Sequence, residues 1–162
     1  MPFSPESLRG RPVPPLSALV GTWHILQTNF PMWLKGDKRS PQLHYSAMDR
    51  ADQLGDRVTY RDRSGAEKQI LGVDTQDPTL PAHFTWRGRG LLSLLRSEWY
   101  VVHASAEVMA VYFTPTLFTP AGIDIVARAP SPSPDAIDAA RSGALALPGL
   151  KDHVAALVTL EL

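Results

Sequence analysis

A succession of short segments whose side chains alternate in character with a period of two constrains this chain most. From Gly21, the residues Trp23, Ile25, Gln27 and Asn29 alternate with His24, Leu26 and Thr28. Successive side chains of a strand point to opposite faces, so this run predicts a strand with two differently lined faces. Comparable runs follow at "QLHYSAM", "DRVTYRD", "EKQILGV", "AHFTWRG", "SEWYVVHA", "EVMAVYFT", "GIDIVARA" and "HVAALVTLEL". Turn chemistry separates most of them, as at Asp62-Arg63-Ser64-Gly65, Asp77-Pro78 and Pro120-Ala121-Gly122. About nine short strands at such spacing predict a sandwich or a barrel.

One segment breaks the pattern. "SPDAIDAARSGALAL" places Ser133 as an N-cap and Pro134 at the first helical position. Asp135 and Asp138 sit near its positive end, and Ile137, Ala140, Ala144 and Leu145 share a face. Leu147-Pro148-Gly149 stops this helix, and a last strand is expected from about His153 to Leu162. Eight strands, one helix and one strand suit a closed barrel with a helix outside, because closure removes the exposed edges of a long meander.

A chain of 162 residues suits one domain. We divide it into an extended, proline-rich arm over 1–17, with one helical turn at "PLSALV", and a barrel domain over 18–162. Sixteen basic and sixteen acidic side chains cancel, so no overall field draws the protein to nucleic acid or to a membrane. With no cysteine, disulfides, thiolate metal sites and cysteine nucleophiles are excluded. No run is long and apolar enough for a membrane span, and prolines and charges interrupt the N-terminus where a signal peptide would need an apolar core. The expectation is a cytoplasmic protein.

Two stretches resemble signatures of the lipocalins: Gly21-Thr22-Trp23 opening the first strand, and "DIVARAPSPSPDAIDAA", where Arg128 precedes a proline-rich turn and a helix. "EWYVVHASAEVMAVYF" resembles the paired strands before it, although the turn the family builds as Thr-Asp-Tyr reads His103-Ala104-Ser105 here. The order of elements over roughly 18–162 is similar to bacterial-type lipocalins. "FPMWLKGDKR", "FTWRGRGLL" and "LFTPAGIDI" are similar to lipocalin-like proteins common in fungi. The resemblance implies an all-β fold: an eight-stranded antiparallel up-and-down barrel with one C-terminal α-helix packed outside and a final short strand. It also implies that Gly21, Trp23 and Arg128 form the barrel base, the indole closing the bottom and the guanidinium stacking on it.

The loop "FPMWLKGDKRSP" would then arch over the open end, where Phe30, Met32 and Trp33 offer apolar surface. Trp33 there is either a lid that touches ligand or a plug of the rim. Arg87-Gly88-Arg89-Gly90 is either a hairpin turn with two solvated arginines or a cradle for an anionic head group. On the following strand, Trp99, Val101 and His103 share one face by strict alternation. If Trp99 faces the cavity, so does His103, where an imidazole can act as a general base. Tyr45, Tyr60 and Tyr112 are phenols that either donate a hydrogen bond or simply pack. Asp124, between Ile123 and Ile125, is expected to face inward and pair with Arg128.

The candidate set is therefore His103 and Tyr112 for catalysis, and Phe30, Met32, Trp33, Tyr45, Trp86, Arg87, Trp99 and Val101 for ligand contact. No metal site and no cofactor are expected, because the five histidines lack ligand spacing. The expected partner is a small hydrophobic molecule, lipid-like, polyketide or terpenoid, and a homodimer is left open. The sequence leaves carrier and enzyme both standing. The enzyme would be a cofactor-free cyclase, isomerase or pericyclase of secondary metabolism, working by folding its substrate and placing a few donors. A filled barrel acting as an interaction module is the third alternative.

Overall fold

A computed structural model describes residues 1–162. Its centre is a closed barrel of eight antiparallel strands: β1 (Gly21–Thr28), β2 (Arg39–Ala47), β3 (Gln53–Arg61), β4 (Glu67–Gln76), β5 (His83–Gly88), β6 (Arg96–Ala104), β7 (Val108–Phe113) and β8 (Gly122–Ala127). Each strand pairs with the next, and β1 closes the ring by pairing with both β8 and β2. The short helix α1 (Leu16–Leu19) precedes β1, and α2 (Pro31–Leu34) follows it. No helix is long and apolar enough to cross a membrane.

The helix expected near residue 134 is α3 (Pro134–Leu145), capped by the Ser133 hydroxyl, which accepts from the Ala136 N–H at 3.2 Å. It lies on the outer wall against β6, β7 and β8, burying Ala140 and Ala144 while Leu145 stays exposed. The expected last strand is shorter than the sequence suggested. The chain makes one more helix, α4 (Lys151–Ala155), before a two-residue β9 (Val158–Thr159) that pairs with β1. "HVAALV" is a short apolar run, and such runs fit one helical turn as well as a strand. Here burial of Val154 against the outer cluster selects the helix.

Two apolar clusters result. One fills the barrel and includes Trp23, Ile25, Trp33, Tyr45, Phe84 and Trp99. The other lies between the outer wall, α3, α4 and the N-terminal arm. The arm is packed rather than loose at its start. Leu8 is buried beneath a 3₁₀ turn (Pro5–Leu8), and the Phe3 ring lies 4.6 Å from Tyr112 and 5.4 Å from Tyr100, centroid to centroid.

The register shifts at three β-bulges; one lies between Arg39 and Gln42 of β2, and the other two, in β1 and β6, re-aim side chains. In β1 the register against β8 shifts between Ile25 and Gln27. Leu26 then joins the outer cluster, Gln27 meets Arg141 of α3 at 2.7 Å, and Thr28 becomes fully buried. In β6 the register against β7 shifts between Val101 and His103. An extra residue in one strand bends it and re-aims the side chains beyond it. Past the β6 bulge His103 turns outward onto Gly143 of α3, and Ala104 packs against the interior cluster.

Candidate ligand-binding cavity

The barrel has one closed end and one open end. At the closed end, Trp23 is buried and donates its indole N–H to the Leu19 carbonyl at 2.9 Å. The Arg128 guanidinium lies over the indole, 3.9 Å from the ring centroid. It also donates to the carbonyls of Val20 at 2.9 Å and of Ala18. This is the base expected for Gly21, Trp23 and Arg128. Burial lowers the Arg128 pKa, and the ring face and carbonyls supply the compensating negative potential.

At the open end the barrel holds a cavity of about 550 Å³, within the range of small-molecule sites. Sixteen of its twenty-three lining residues are hydrophobic. Phe30, Met32 and Trp33 form its wall beneath the β1–β2 loop, with Tyr45, Trp86 and Trp99 deeper along the strands. Trp99 is held by stacking on Phe84, with centroids 4.2 Å apart, and lies near-parallel to Tyr45 at 6.0 Å. Trp33 meets Tyr60 edge-on at 6.0 Å. Leu94, Leu117 and Phe118 rim the mouth on the β5–β6 and β7–β8 loops.

Four expected site residues lie elsewhere. Val101 is in the barrel core but does not line the cavity. Arg87 is exposed at the rim, outside the cavity. His103 does not share the face of Trp99, because the β6 bulge reverses it. Its pKa is lowered by burial and then by the nearby Arg11 charge. Tyr112 faces the outer cluster beneath Phe3, 5.6 Å from the His153 ring, and burial raises its pKa. Asp124 is inward as expected, but it is not paired with Arg128. Its register partner on β1 is Thr28, which favours its charged form, while Arg128 is engaged at the closed end.

The polar chemistry of the cavity comes from residues the sequence reading passed over. Asp56 of β3 and Asp74 of β4 are buried in the barrel, close enough for each to shift the other's titration. Asp74 also accepts the Trp99 indole N–H at 2.9 Å. Burial, and then the charge of Asp56, drives the Asp74 pKa well up, and burial raises that of Asp56. Two carboxyls placed this close favour sharing one proton over both ionising. Asp124, fully buried, is pushed up to about 7 by desolvation. Asp56 and Asp124 line the cavity, and Asp124 Oδ1 has no protein partner. All three carboxyls act, after burial, to raise the pKa of the Tyr45 phenol, so the four groups form one cluster. Among the lining residues the one basic side chain is Arg96, exposed at the rim. A visible sign was available: Asp56 sits between Leu54 and Val58, and Asp74 follows Ile70 and Gly72, on strand faces that are otherwise apolar or small.

No protein-family model matches the sequence, and no curated protein is significantly similar to it. Solved structures are similar in shape. Lobster apocrustacyanin A1 superposes with a TM-score of 0.71 at 11% identity, over 98% of this chain and 85% of its own. The siderocalin Ex-FABP gives 0.67 at 13% identity, over 90% and 95%. The bovine lipocalin allergen Bos d 2 gives 0.58 at 12% identity, over 89% and 93%. Together with the closed eight-stranded barrel, the outer helix and the base sealed by Trp23 and Arg128, these likenesses show that the chain has the lipocalin fold.

Proposed function

We propose that the protein binds one small, largely apolar molecule in the open end of its barrel. The cavity carries this reading: about 550 Å³, walled by Phe30, Met32, Trp33, Tyr45, Trp86 and Trp99, and open at one end only. Transfer of apolar ligand surface to such a wall supplies the driving force. The carboxyl cluster refines the ligand. The unpartnered Oδ1 of Asp124 favours a molecule with a hydrogen-bond-donating group, because a buried acceptor left unpaired costs free energy. The siderocalin Ex-FABP, one of the structures similar in shape, is described as having dual ligand specificities.

A second reading rests on the same cluster. Carboxylic acids that keep a proton near pH 7 inside a water-poor cavity are placed to act as general acids. This supports a cofactor-free isomerase or cyclase acting on a bound natural-product intermediate. The narrower resemblance to bacterial-type and fungal lipocalin-like proteins belongs to this proposal too.

Native mass spectrometry with a panel of apolar molecules, each with and without a terminal hydroxyl, tests the first reading. One molecule bound per chain, with the hydroxylated members retained better, supports it. No retention of any member contradicts it. A bound molecule converted to an isomer by the native chain, but only held by Asp56→Asn or Asp124→Asn, establishes the second.

A further inference from the structure

The mouth of the barrel carries apolar side chains that stay exposed beyond the cavity wall. Leu91 and Leu94 on the β5–β6 loop and Leu117 on the β7–β8 loop are almost fully exposed, and Phe118 beside it is 77% exposed. Leu34, on α2, adds to the same end. Contiguous exposed apolar side chains on a soluble domain mark an interaction surface.

The same end is positively charged. The loops and strand ends over 29–39, 61–68 and 87–96 hold nine Lys or Arg and three Asp or Glu, in a chain whose net charge is zero. Arg87 and Arg96 are direct cross-strand partners, both exposed, and Arg89 follows two residues after Arg87. None of the three forms an ion pair within the protein. Like charges directly opposite on a sheet repel, and an anion lying against them relieves that repulsion. Leu91, Leu94 and the three arginines occupy one hairpin end, "RGRGLLSLLR", so apolar contact and anion contact are made together.

We propose that the mouth docks on an anionic phospholipid surface. Leu91, Leu94, Leu117 and Phe118 enter the boundary between head groups and acyl chains, and Arg87, Arg89 and Arg96 meet the phosphates through their forked donors. Apolar tips ringed by basic side chains match the layered chemistry of a leaflet, with hydrocarbon beneath phosphate. The tips belong to separate loops and form no groove for a peptide segment. Docked in this way, the cavity opens against the bilayer, where an apolar ligand is most concentrated. The inference goes beyond the proposed ligand binding and does not depend on which molecule is bound.

Co-sedimentation with vesicles tests it, using phosphatidylcholine alone and phosphatidylcholine with about one third phosphatidylglycerol. The native chain is expected to partition to the anionic vesicles at least about tenfold more strongly, less so as salt is raised. Leu91→Ser with Phe118→Ser should weaken that partition by about tenfold or more. Arg87→Gln with Arg89→Gln should weaken it by roughly fivefold per arginine and flatten the salt dependence. These side chains are exposed, so circular dichroism should show the fold intact. Leu91, Arg87 and Arg89 do not line the cavity, so Leu91→Ser and the arginine pair should leave binding of a soluble apolar probe unchanged. Equal partition to both vesicles, or partition indifferent to both variant pairs, overturns the proposal. So does an absence of sedimentation, as a protein partner for this face would give. If the probe still binds in the cavity when vesicles do not, the docking inference fails and the ligand-binding reading stands.

Discussion

The guanidinium of Arg128 lies 3.9 Å from the centre of the Trp23 indole, and Gly21, which passes beside the guanidinium, has no side chain to displace it. A Cβ at Gly21 would stand 2.8 Å from Arg128 Nη1, and the Gly21 φ of +116° is one that L side chains rarely adopt. Gly21→Ala should therefore cost at least about 1 kcal/mol from backbone strain, with further loss from displacing the guanidinium. Trp23→Ala should cost roughly 3–5 kcal/mol, as large truncations in a packed core do. Urea unfolding of both variants checks the order, with Trp23→Ala the less stable.

Asp124 gives a pH dependence of stability with a defined sign. Its pKa is about 7 in the fold, against roughly 4 for an unfolded carboxyl. Between those values the folded chain holds a proton that the unfolded chain has released. Stability from this group is therefore lost as pH rises through the window, and the loss is complete above the folded pKa. About three pKa units correspond to roughly 4 kcal/mol. Asp124→Asn cannot ionise, so its unfolding free energy relative to the native chain should increase by a few kcal/mol between about pH 4 and pH 8. A difference between the two chains that stays flat across that range would show that Asp124 is not a buried acid.

His103 and Tyr112 should prove dispensable for ligand binding. They face α3 and the N-terminal arm, so His103→Ala and Tyr112→Phe should leave the affinity for an apolar probe within about twofold. The outer contact has its own test. A methyl group at Gly143 would run into the His103 ring, so Gly143→Ala should destabilise by about 1–3 kcal/mol, as overpacking does. His103→Ala in the same chain should recover most of that loss. A double variant no better than Gly143→Ala alone would remove the contact from the account.

Much of the barrel could be read in the sequence, because alternation reports burial on one strand face and turn residues mark where strands end. Trp23, Arg128 and Gly21 were legible as a unit only through the resemblance to lipocalin signatures. Alternation fails where one extra residue is inserted, and the bulges at Leu26 and Val102 leave no composition mark. Strict counting therefore put His103 on the face of Trp99, the reverse of the structure. The cavity's aromatic wall was visible from Phe30, Met32, Trp33 and Trp99. Its acids were harder, because Asp56 and Asp74 lie in strands that also carry solvated charges, such as Arg57 and Lys68. Only the pairing of β3 with β4 brings the two carboxyls side by side.

Met32 and Trp86 give the cleanest variants of the cavity wall. Both line the cavity and are only half-buried, so truncation removes ligand contact with little loss of packing. Met32→Ala and Trp86→Ala should each weaken an apolar ligand by about tenfold, the loss of roughly 1.4 kcal/mol of buried surface, with thermal stability nearly unchanged. Fluorescence titration gives the affinity, and a thermal melt of the same samples gives the stability.

The central claim, that the open end of the barrel is a ligand cavity, is tested most directly by titrating a neutral apolar fluorophore, N-phenyl-1-naphthylamine, into the native chain and into Val58→Trp. Val58 lines the cavity, and an indole in its place would occupy much of the space. The account predicts saturable binding of one fluorophore per chain, quenching of tryptophan emission, and loss of binding in Val58→Trp with the fold retained. Absence of saturable binding by the native chain, or equal binding by the folded Val58→Trp chain, would contradict it.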